Sequence, residues 1–457
     1  MKKFYIVLIA LFLIVTTTAL VACSGDVDSL VDGDAYLGGG KMKPAYDKAA
    51  SREGTGDAEI YDGAEENGNG QQQAGQITAA AWDDNAHYAE WIALYREGNA
   101  NEEAGKFFDY RTNDWAFNTR NRVKVTVLTG ETPAVGAEVS YFDPQQNAWK
   151  ARADVNGVAY LFPQEDEGTI RIKIGDNEQT AHFSATDRDL TVDLDGAETK
   201  ANAIKIMLVV DVTGSMGDEL NFLKTELADV VHQVAAADEQ TAIDLALLFY
   251  RDDGDDEKFA YSDFLRVTNE ENLRTQIAFL SKQYAAGGGD YEEAVDEALE
   301  LAVNKNWGEE NATRLIFFVL DAPPHSTDSN RARCASSIKT AAEKGIRVCP
   351  ILCSGADTLC EYVTRQGAIF TGGTFIFVTD DSGIGGTHHD PELPATVEYL
   401  NALMIRLIKG YHTGDFGEPE PIAQPEPEPQ PTPEPEPTPA PTPEPEPTPE
   451  PVDTIDE

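Results

Sequence analysis

Residues 203–216 read AIKIMLVVDVTGSM, and this stretch decides the fold. The nearly continuous apolar run from Ile204 to Val210 is what a strand buried on both faces requires. It ends directly in Asp211, and Thr213 and Ser215 follow at alternate positions. Because ligands of open α/β sheets bind at the carboxyl ends of the strands, this stretch predicts a polar site at such an edge.

Helical periods and apolar runs alternate over the residues that follow. The pattern predicts helices over 220–234, 271–284, 291–303, 331–344 and 397–409, and strands over 243–250, 315–320, 348–352 and 375–378. Such alternation is typical of an α/β fold, a doubly wound parallel sheet with helices on both faces. We therefore predict an α/β domain over residues 201–412.

Two further loops of this domain carry hard oxygen ligands. Residues 287–290 read GGGD and precede a predicted helix, so that Asp290 lies at a helix entry. Residues 321–325 read DAPPH and follow a predicted buried strand, which places Asp321 at a strand end. Carboxylates and hydroxyls without Cys or His are the ligands that Mg²⁺, Mn²⁺ and Ca²⁺ prefer.

The three loops together resemble the metal-ion-dependent adhesion site of von Willebrand factor A domains. The family signature D-x-S/T-x-S matches Asp211, Thr213 and Ser215, and the third-loop Asp of the family matches Asp321. The second-loop ligand is commonly Thr in the family, whereas this chain offers Asp290. The resemblance implies that these five residues hold a divalent cation, most often Mg²⁺, with Mn²⁺ or Ca²⁺ as alternatives.

The resemblance also implies a function, which is metal-dependent recognition of another protein, or adhesion. With Asp290 in place of Thr, three carboxylates would surround the ion, so we expect weaker capture of an acidic ligand residue. The alternative is an envelope scaffold in which the metal only stabilises the fold. No base is placed to activate Ser215, so we do not expect an enzyme.

Other clusters give weaker signals. The acidic run Asp252–Glu257 lacks the spacing of an EF-hand and is interpreted as a solvated loop. His325 and the pair His388-His389 could suggest a transition-metal site, but no spacing in the sequence brings them together. We therefore assign neither cluster a role from the sequence.

The N-terminus has the features of an export signal. Lys2 and Lys3 precede an apolar run from Phe4 to Val15, and residues 20–23 read LVAC. This ending resembles the lipobox of bacterial lipoproteins. The resemblance implies a signal peptide over 1–22 and acylation of Cys23, palmitate being one such acyl group. It also implies a membrane-anchored lipoprotein, at the outer membrane or cell surface rather than the inner membrane.

The remaining segments differ in composition. Residues 23–80 are rich in Gly, Asp, Ala and Gln and predict a flexible tether, and residues 81–120 predict a helical and aromatic region with a helix over 82–95. Alternating strand patterns over 121–198 predict a small β-sandwich, and its strings GAEV and NGVA resemble carboxypeptidase-regulatory-like or transthyretin-like modules. The acidic Pro-rich tail, 413–457, repeats PTPEPEPTP and predicts an extended polyproline II segment.

Charge and cysteine content restrict the partners. With 80 Asp and Glu against 35 Lys and Arg, the net charge is −45, which argues against nucleic acid as a partner. The membrane contact would come through the lipidated N-terminus. An even number of thiols in an exported chain is compatible with disulfides, although free buried Cys stays open and the pairing is not determined. These thiols are Cys334, Cys349, Cys353 and Cys360.

Overall fold

The computed structural model describes residues 73–97, 105–112, 118–145, 148–195, 200–237, 241–308 and 311–422. The signal sequence, Cys23, most of the tether and the Pro-Glu repeats lie outside the described residues. Within the described ranges, no helix combines the length and the apolar composition needed to cross a bilayer.

The first described segment is part of the α/β fold. It forms β1 (Thr78–Trp82) and α1 (Tyr88–Ala93), so the helix predicted over 82–95 is shorter than its apolar spacing suggested. Trp82 belongs to the strand and stacks on His87, with 3.7 Å between ring centroids. Pairing with other strands overrides the local helical spacing here.

Residues 123–193 form eight strands in two four-stranded sheets. The first sheet has the order β3-β2-β6 with β9 beside β2, and the second has the order β5-β4-β7-β8. Alternate residues of each sheet, such as Val123 and Ile170, point into one shared apolar cluster. The relation to carboxypeptidase-regulatory-like modules stays a prediction; we call these residues the β-module. Its strands are β2 (Val123–Thr129), β3 (Thr132–Pro133), β4 (Glu138–Phe142), β5 (Ala148–Arg152), β6 (Val158–Leu161), β7 (Gly168–Ile174), β8 (Asn177–Phe183) and β9 (Asp189–Asp193).

A nine-stranded sheet with helices on its faces follows, and the predicted α/β fold class is confirmed. The sheet order is β12-β11-β10-β14-β15-β16-β1-β17, with β13 beside β11. The central strands β11, β10, β14, β15 and β16 pair in parallel. The strands are β10 (Ala203–Asp211), β11 (Ala242–Tyr250), β12 (Phe259–Tyr261), β13 (Leu265–Arg266), β14 (Thr313–Leu320), β15 (Ile346–Leu352), β16 (Phe375–Val378) and β17 (Val397–Tyr399). The helices are α2 (Leu220–Ala237), α3 (Glu270–Ser281), α4 (Val295–Val303), α5 (Asp328–Lys344), α6 (Thr358–Thr371) and α7 (Leu400–Thr413).

Three elements differ from the sequence prediction. Helix α4 begins at Val295 rather than at residue 291, and the last helix is preceded by the short strand β17. Helix α6 was not predicted. Its residues from Cys360 to Thr371 are all buried, polar ones included, so it shows no apolar stripe.

Strand β1 shows that the fold begins before the predicted tether boundary at residue 80. It pairs antiparallel with β16 on one side and β17 on the other. Ala79 belongs to the apolar cluster on one face of the large sheet, and Ala80 belongs to the cluster on the opposite face. Residues from the predicted tether therefore complete both cores of the domain.

The β-module packs directly on the α/β domain. Phe162 stacks on Phe370 of α6 with 4.9 Å between ring centroids. The Arg152 Nε donates to the Glu343 carbonyl oxygen at 3.2 Å, and Arg347 donates to the Arg152 carbonyl at 3.1 Å. Apolar and polar contacts thus fix the two modules against each other.

The cysteines do not form the disulfides that the sequence allowed. All four thiols within the described residues are free and buried in the α/β core. Burial raises the pKa of Cys334 to about 12 and that of Cys349 to about 11. These residues therefore act as small apolar side chains, the second of the two readings left open by the sequence.

Candidate metal centre

The first loop of the site leaves the carboxyl end of β10. Asp211 is its last residue and is fully buried. Its Oδ1 accepts hydrogen bonds from the backbone N–H of Thr213 at 2.8 Å and from the Thr213 hydroxyl at 2.7 Å. The hydroxyls of Thr213 and Ser215 lie 3.1 Å apart. The D-x-T-x-S sequence therefore folds into one tight turn that gathers its three oxygen-bearing side chains.

The third loop brings Asp321 to the same place. This residue follows β14, which pairs in parallel with β10, so the two strands end side by side. Asp321 is 2% exposed and forms a hydrogen bond with Ser215. Asp211, Thr213, Ser215 and Asp321, all predicted from the sequence, are therefore brought together.

The second loop contributes Glu293, which the sequence did not predict. Its side chain is 3% exposed, and its backbone N–H donates to the Pro323 carbonyl at 3.1 Å. Gly288, with φ +75°, lies so close that a Cβ there would be 2.9 Å from the Glu293 Oε1 and 3.5 Å from the Thr213 Cβ. A glycine at this position is what allows the Glu293 carboxylate to approach the first loop.

Three buried carboxylates thus lie near one another, and the charges of Asp211 and Asp321 both act on Glu293. One oxygen of each, Asp211 Oδ2, Glu293 Oε2 and Asp321 Oδ1, has no hydrogen-bond partner within the described part of the chain. Buried carboxylate oxygens without partners are costly unless something compensates them. Together with two hydroxyls, this all-oxygen donor set fits a hard divalent cation such as Mg²⁺.

The acidity of the three groups reflects the same crowding. Burial raises the pKa of Glu293 to about 9, and the carboxylates of Asp211, Asp252 and Asp321 add to the shift. Burial and the charge of Asp321 raise the pKa of Asp211 to about 7. Burial also raises the pKa of Asp321 to about 6, against the hydrogen bond from Ser215. The site therefore opposes full ionisation of its own carboxylates.

Asp290, the predicted second-loop ligand, lies in a neighbouring group instead. It is exposed, and one ligand atom from each of Asp290, Asp252 and His325 falls within 4.8 Å of the others. The His325 Nε2 and the Asp252 Oδ1 are 2.7 Å apart, which is an ordinary hydrogen-bonded ion pair. His388 and His389 contact other residues: the former lies 3.2 Å from the Glu219 Oε2 and the latter 2.6 Å from the Glu361 Oε2.

The sequence prediction misses Glu293 because it begins a helix directly after the GGGD string. In the structure, helix α4 begins only at Val295, four residues after the predicted start at 291. The intervening residues form an isolated parallel bridge between Glu293 and Pro324, which continues the loop past Asp290. Because the loop is longer than predicted, it is Glu293, three positions after Asp290, that lies at the carboxyl ends of the strands.

A comparison with known protein families agrees with the α/β fold. The family model of the von Willebrand factor A domain matches residues 205–366, which include most of β10, the three loops of the site and most of α6. The chain therefore contains a von Willebrand factor A domain. No curated protein matches the chain.

Solved structures that match parts of the chain come from several bacteria. The conserved hypothetical protein BatB from Bacteroides thetaiotaomicron is 16% identical, with 38% of this chain and 90% of that chain covered and a TM-score of 0.30. The pilus adhesin SpaC from Lactobacillus rhamnosus GG is 12% identical, with 60% and 35% covered and a TM-score of 0.33. A von Willebrand factor type A structure from Catenulispora acidiphila is 13% identical, with 55% and 46% covered and a TM-score of 0.30.

Proposed function

We propose that this chain is a cell-envelope lipoprotein whose von Willebrand factor A domain binds a divalent cation and recognises another protein through it. The observation that carries the metal site is the nearness of three buried carboxylates, each with one oxygen that has no hydrogen-bond partner within the described residues. In this proposal Asp211, Thr213, Ser215, Glu293 and Asp321 hold the ion. In this proposal Glu293, rather than Asp290, is the ligand from the second loop.

In this proposal the ion and the side chains around it have different roles. A bound divalent cation would supply positive charge that attracts an oxygen of the partner. Asp211 and Asp321 hold the two hydroxyls of the first loop in place by hydrogen bonds. In this proposal the chain acts by binding another protein.

The surface beside the site favours a protein as the ligand. Tyr284 and Tyr291 bracket the second loop and are 60% and 41% exposed. The Tyr291 hydroxyl donates to the Gly355 carbonyl at 3.2 Å, which holds the ring at the rim. Exposed, fixed tyrosines are typical anchors of protein interfaces.

Anchoring is the part of the proposal that depends on residues outside the described ranges. The lipobox-like LVAC at residues 20–23 supports acylation of Cys23 and a place at the outer membrane or cell surface. Mass spectrometry of the purified protein would detect the acyl chains on Cys23. An unmodified, uncleaved N-terminus would contradict the lipoprotein assignment.

The metal site is tested by thermal unfolding of the full chain in detergent, with EDTA and then with Mg²⁺, Mn²⁺ or Ca²⁺. At 100 times Kd, binding to the folded state adds about 2.7 kcal/mol to the free energy of unfolding. We expect this gain in the wild type and its loss in Asp211→Ala. Asp176→Ala, at an exposed turn of the β-module, is the control and should keep the gain.

A second candidate, the envelope scaffold with a structural ion, is favoured by the third carboxylate. Three anions leave a divalent ion with net negative surroundings, which weakens capture of a ligand carboxylate. Affinity capture of envelope proteins by wild type and Asp211→Ala, each with Mg²⁺ and with EDTA, separates the two candidates. Recognition predicts proteins retained only by the wild type with Mg²⁺, whereas metal-dependent stability without metal-dependent capture supports the scaffold.

A further inference from the structure

A cleft lies between the β-module and the amino edge of the large sheet. Its volume is about 530 Å³. Arg152 and Lys173 line it from the β-module, and Thr313 lines it from the start of β14. The strands of the sheet run 7–9 residues from this edge to the candidate metal centre, so the two sites are about 25 Å apart.

The side chains that line the cleft are mostly basic, although the chain as a whole is strongly acidic. Glu138 and Asp154 are its acidic side chains, against six basic ones. The whole chain, in contrast, has more than twice as many acidic as basic residues. The basic side chains are Arg152, Lys173, Lys305, Arg314, Lys344 and Arg347.

Part of this positive charge is not offset by carboxylates. Arg347 is 8% exposed and donates to the carbonyl oxygens of Thr371 at 3.0 Å and Arg152 at 3.1 Å. The Lys344 Nζ donates to the Val303 carbonyl at 2.8 Å. Within the described residues neither side chain forms an ion pair, whereas Arg152 pairs with Glu138 at 2.9 Å. Clefts lined by one sign of charge concentrate the opposite sign.

We propose that this cleft binds an extended acidic peptide of the Pro-Glu type that the chain itself carries at its C-terminus. Residues 425–450 contain seven glutamates and no basic residue. Carboxylates of such a peptide would form charge-assisted hydrogen bonds with the Lys and Arg side chains of the cleft. The alternation of Pro and Glu keeps the peptide extended and lowers the entropy cost of binding.

The described end of the chain lies within reach of the cleft. Tyr411 lines the cleft, and the last turn of α7 contacts β14, with 3.1 Å between the His412 Nδ1 and the Thr313 Oγ1. After α7 the chain runs back to β17, where the Ile422 N–H donates to the Val397 carbonyl at 3.3 Å. That point is about one α7 length, roughly 21 Å, from the cleft. About seven extended residues span this distance, and tethering raises the local concentration of the tail.

Peptide binding to the full chain tests the proposal. The probe is a fluorescent peptide of residues 425–437, PEPEPQPTPEPEP, and its control has glutamine at each glutamate. The receptor is the full chain in detergent with the seven glutamates of residues 425–450 replaced by glutamine, so that this segment cannot compete. We expect the acidic peptide to bind and the glutamine peptide to bind at least about tenfold more weakly.

Cleft variants decide whether the binding belongs to this site. Lys173→Gln with Lys344→Gln should weaken peptide binding about tenfold, whereas Lys124→Gln with Lys282→Gln, outside the cleft, should leave it unchanged. Lys173→Gln alone should also weaken peptide binding, and because Lys173 is at an exposed strand position, this substitution should not disturb folding. Equal weakening by both pairs, or no peptide binding to any chain, would overturn the proposal. EDTA should have no effect, so this result is independent of the metal centre.

The wild-type chain identifies the source of the peptide. If its own tail fills the cleft, the probe should bind the wild type more weakly than the chain with the glutamine tail. Equal binding to the two chains in a cleft-dependent manner would show that the own tail is not the occupant and would overturn that part of the proposal. A concentration-dependent dimer that the glutamine tail abolishes would assign the cleft to the tail of a second copy.

Discussion

Two acidic residues three positions apart on the second loop have opposite surroundings. Glu293 is buried and feels the charge of Asp211, whereas Asp290 is exposed beside His325. We expect Glu293→Gln to remove most of the Mg²⁺-induced rise in melting temperature and Asp290→Asn to keep most of it. The two substitutions are matched, because each replaces a carboxylate with an amide of the same shape.

The metal-free proteins provide the control for this comparison. Because the pKa of Glu293 is about 9, its side chain is protonated at pH 7, and a neutral glutamine should cost little stability. A melting temperature in EDTA close to that of the wild type would show that Glu293→Gln affects the metal and not the fold. The opposite pattern, with Asp290→Asn abolishing the metal response, would return Asp290 to the ligand set.

The raised pKa values of the three carboxylates also predict a pH dependence. The folded-state pKa values of Asp211, Asp321 and Glu293, about 7, about 6 and about 9, lie above those of the unfolded chain. Their contribution to the stability of the metal-free protein is therefore fully present below pH 4 and is lost as the pH rises to 9. Metal binding requires the ionised forms, so its stabilisation should grow over the same range.

Thermal unfolding at pH 5.5, 7 and 8.5, with and without Mg²⁺, measures this effect. We expect the difference in melting temperature between the two conditions to increase with pH. Asp211→Ala should show no such increase. A metal response that is constant or falls with pH would contradict the assignment of these carboxylates as ligands.

Most of the first and third loops could be predicted from the sequence because their polar residues directly follow buried strands. The apolar runs before Asp211 and Asp321 place them at one sheet edge without further information. Glu293 could not be placed in this way. Its position depends on a loop that continues past Asp290 and on the absence of a side chain at Gly288, which are tertiary features.

At the scale of elements, the entry into β1 is held by one buried side chain. Glu226 of α2 is 1% exposed, and its carboxylate accepts the backbone N–H groups of Gly75, Gln76 and Ile77 at 2.8, 2.7 and 3.1 Å. Hydrogen bonds to a charged acceptor are stronger than neutral ones, and their loss would leave backbone donors without partners. This contact fixes the start of the strand.

We expect Glu226→Ala to lower the free energy of unfolding by about 2–4 kcal/mol. Urea unfolding followed by far-UV circular dichroism measures the change. The exposed helical residue Glu270 provides the control, and Glu270→Ala should change the value by less than about 1 kcal/mol. A similarly small effect of Glu226→Ala would mean that β1 is held by its strand pairing alone.

Two of the elements that the sequence does not predict, α6 and β1, have a common physical cause. Helix α6 is buried on all sides and β1 is a short run of small residues, TAAAW, so neither shows the periodicity that marks amphipathic elements. Strands β10 and β14, in contrast, are long continuous apolar runs and were predicted from them. A helix or strand that forms only through contacts with distant segments of the chain leaves no periodic pattern in the sequence.

At the scale of the whole molecule, a buried ionic network joins the N-terminal segment to α6. Arg365 is 1% exposed and donates through its Nε to Asp84 at 3.0 Å and through a terminal nitrogen to Glu361 at 2.7 Å. Lys106, also from the N-terminal segment, pairs with Glu361 at 2.7 Å. The network therefore connects parts of the chain that lie more than 250 residues apart.

Removal of one member leaves an unbalanced charge in the core. We expect Asp84→Asn to lower the free energy of unfolding by about 3–5 kcal/mol, as measured by urea unfolding. Asp83→Asn, at the preceding position, is the matched control, because the Asp83 carboxylate accepts the local N–H groups of Asn85 and Ala86 and is not part of the network. Equal effects of the two substitutions would assign the loss to the turn rather than to the network.

Strand β1 has a consequence for how this domain can be divided. A fragment of residues 205–366, the limits of the family match, lacks both β1 and Phe375–Val378. A fragment that starts at residue 201 keeps Phe375–Val378 but lacks β1, so this strand loses its antiparallel partner and has an open edge. Unpaired apolar strand edges are templates for pairing between chains. The smallest soluble form of the domain should therefore start near residue 73 and retain the β-module that lies between β1 and β10. The domain is continuous in space but interrupted in sequence, with the β-module as its insert.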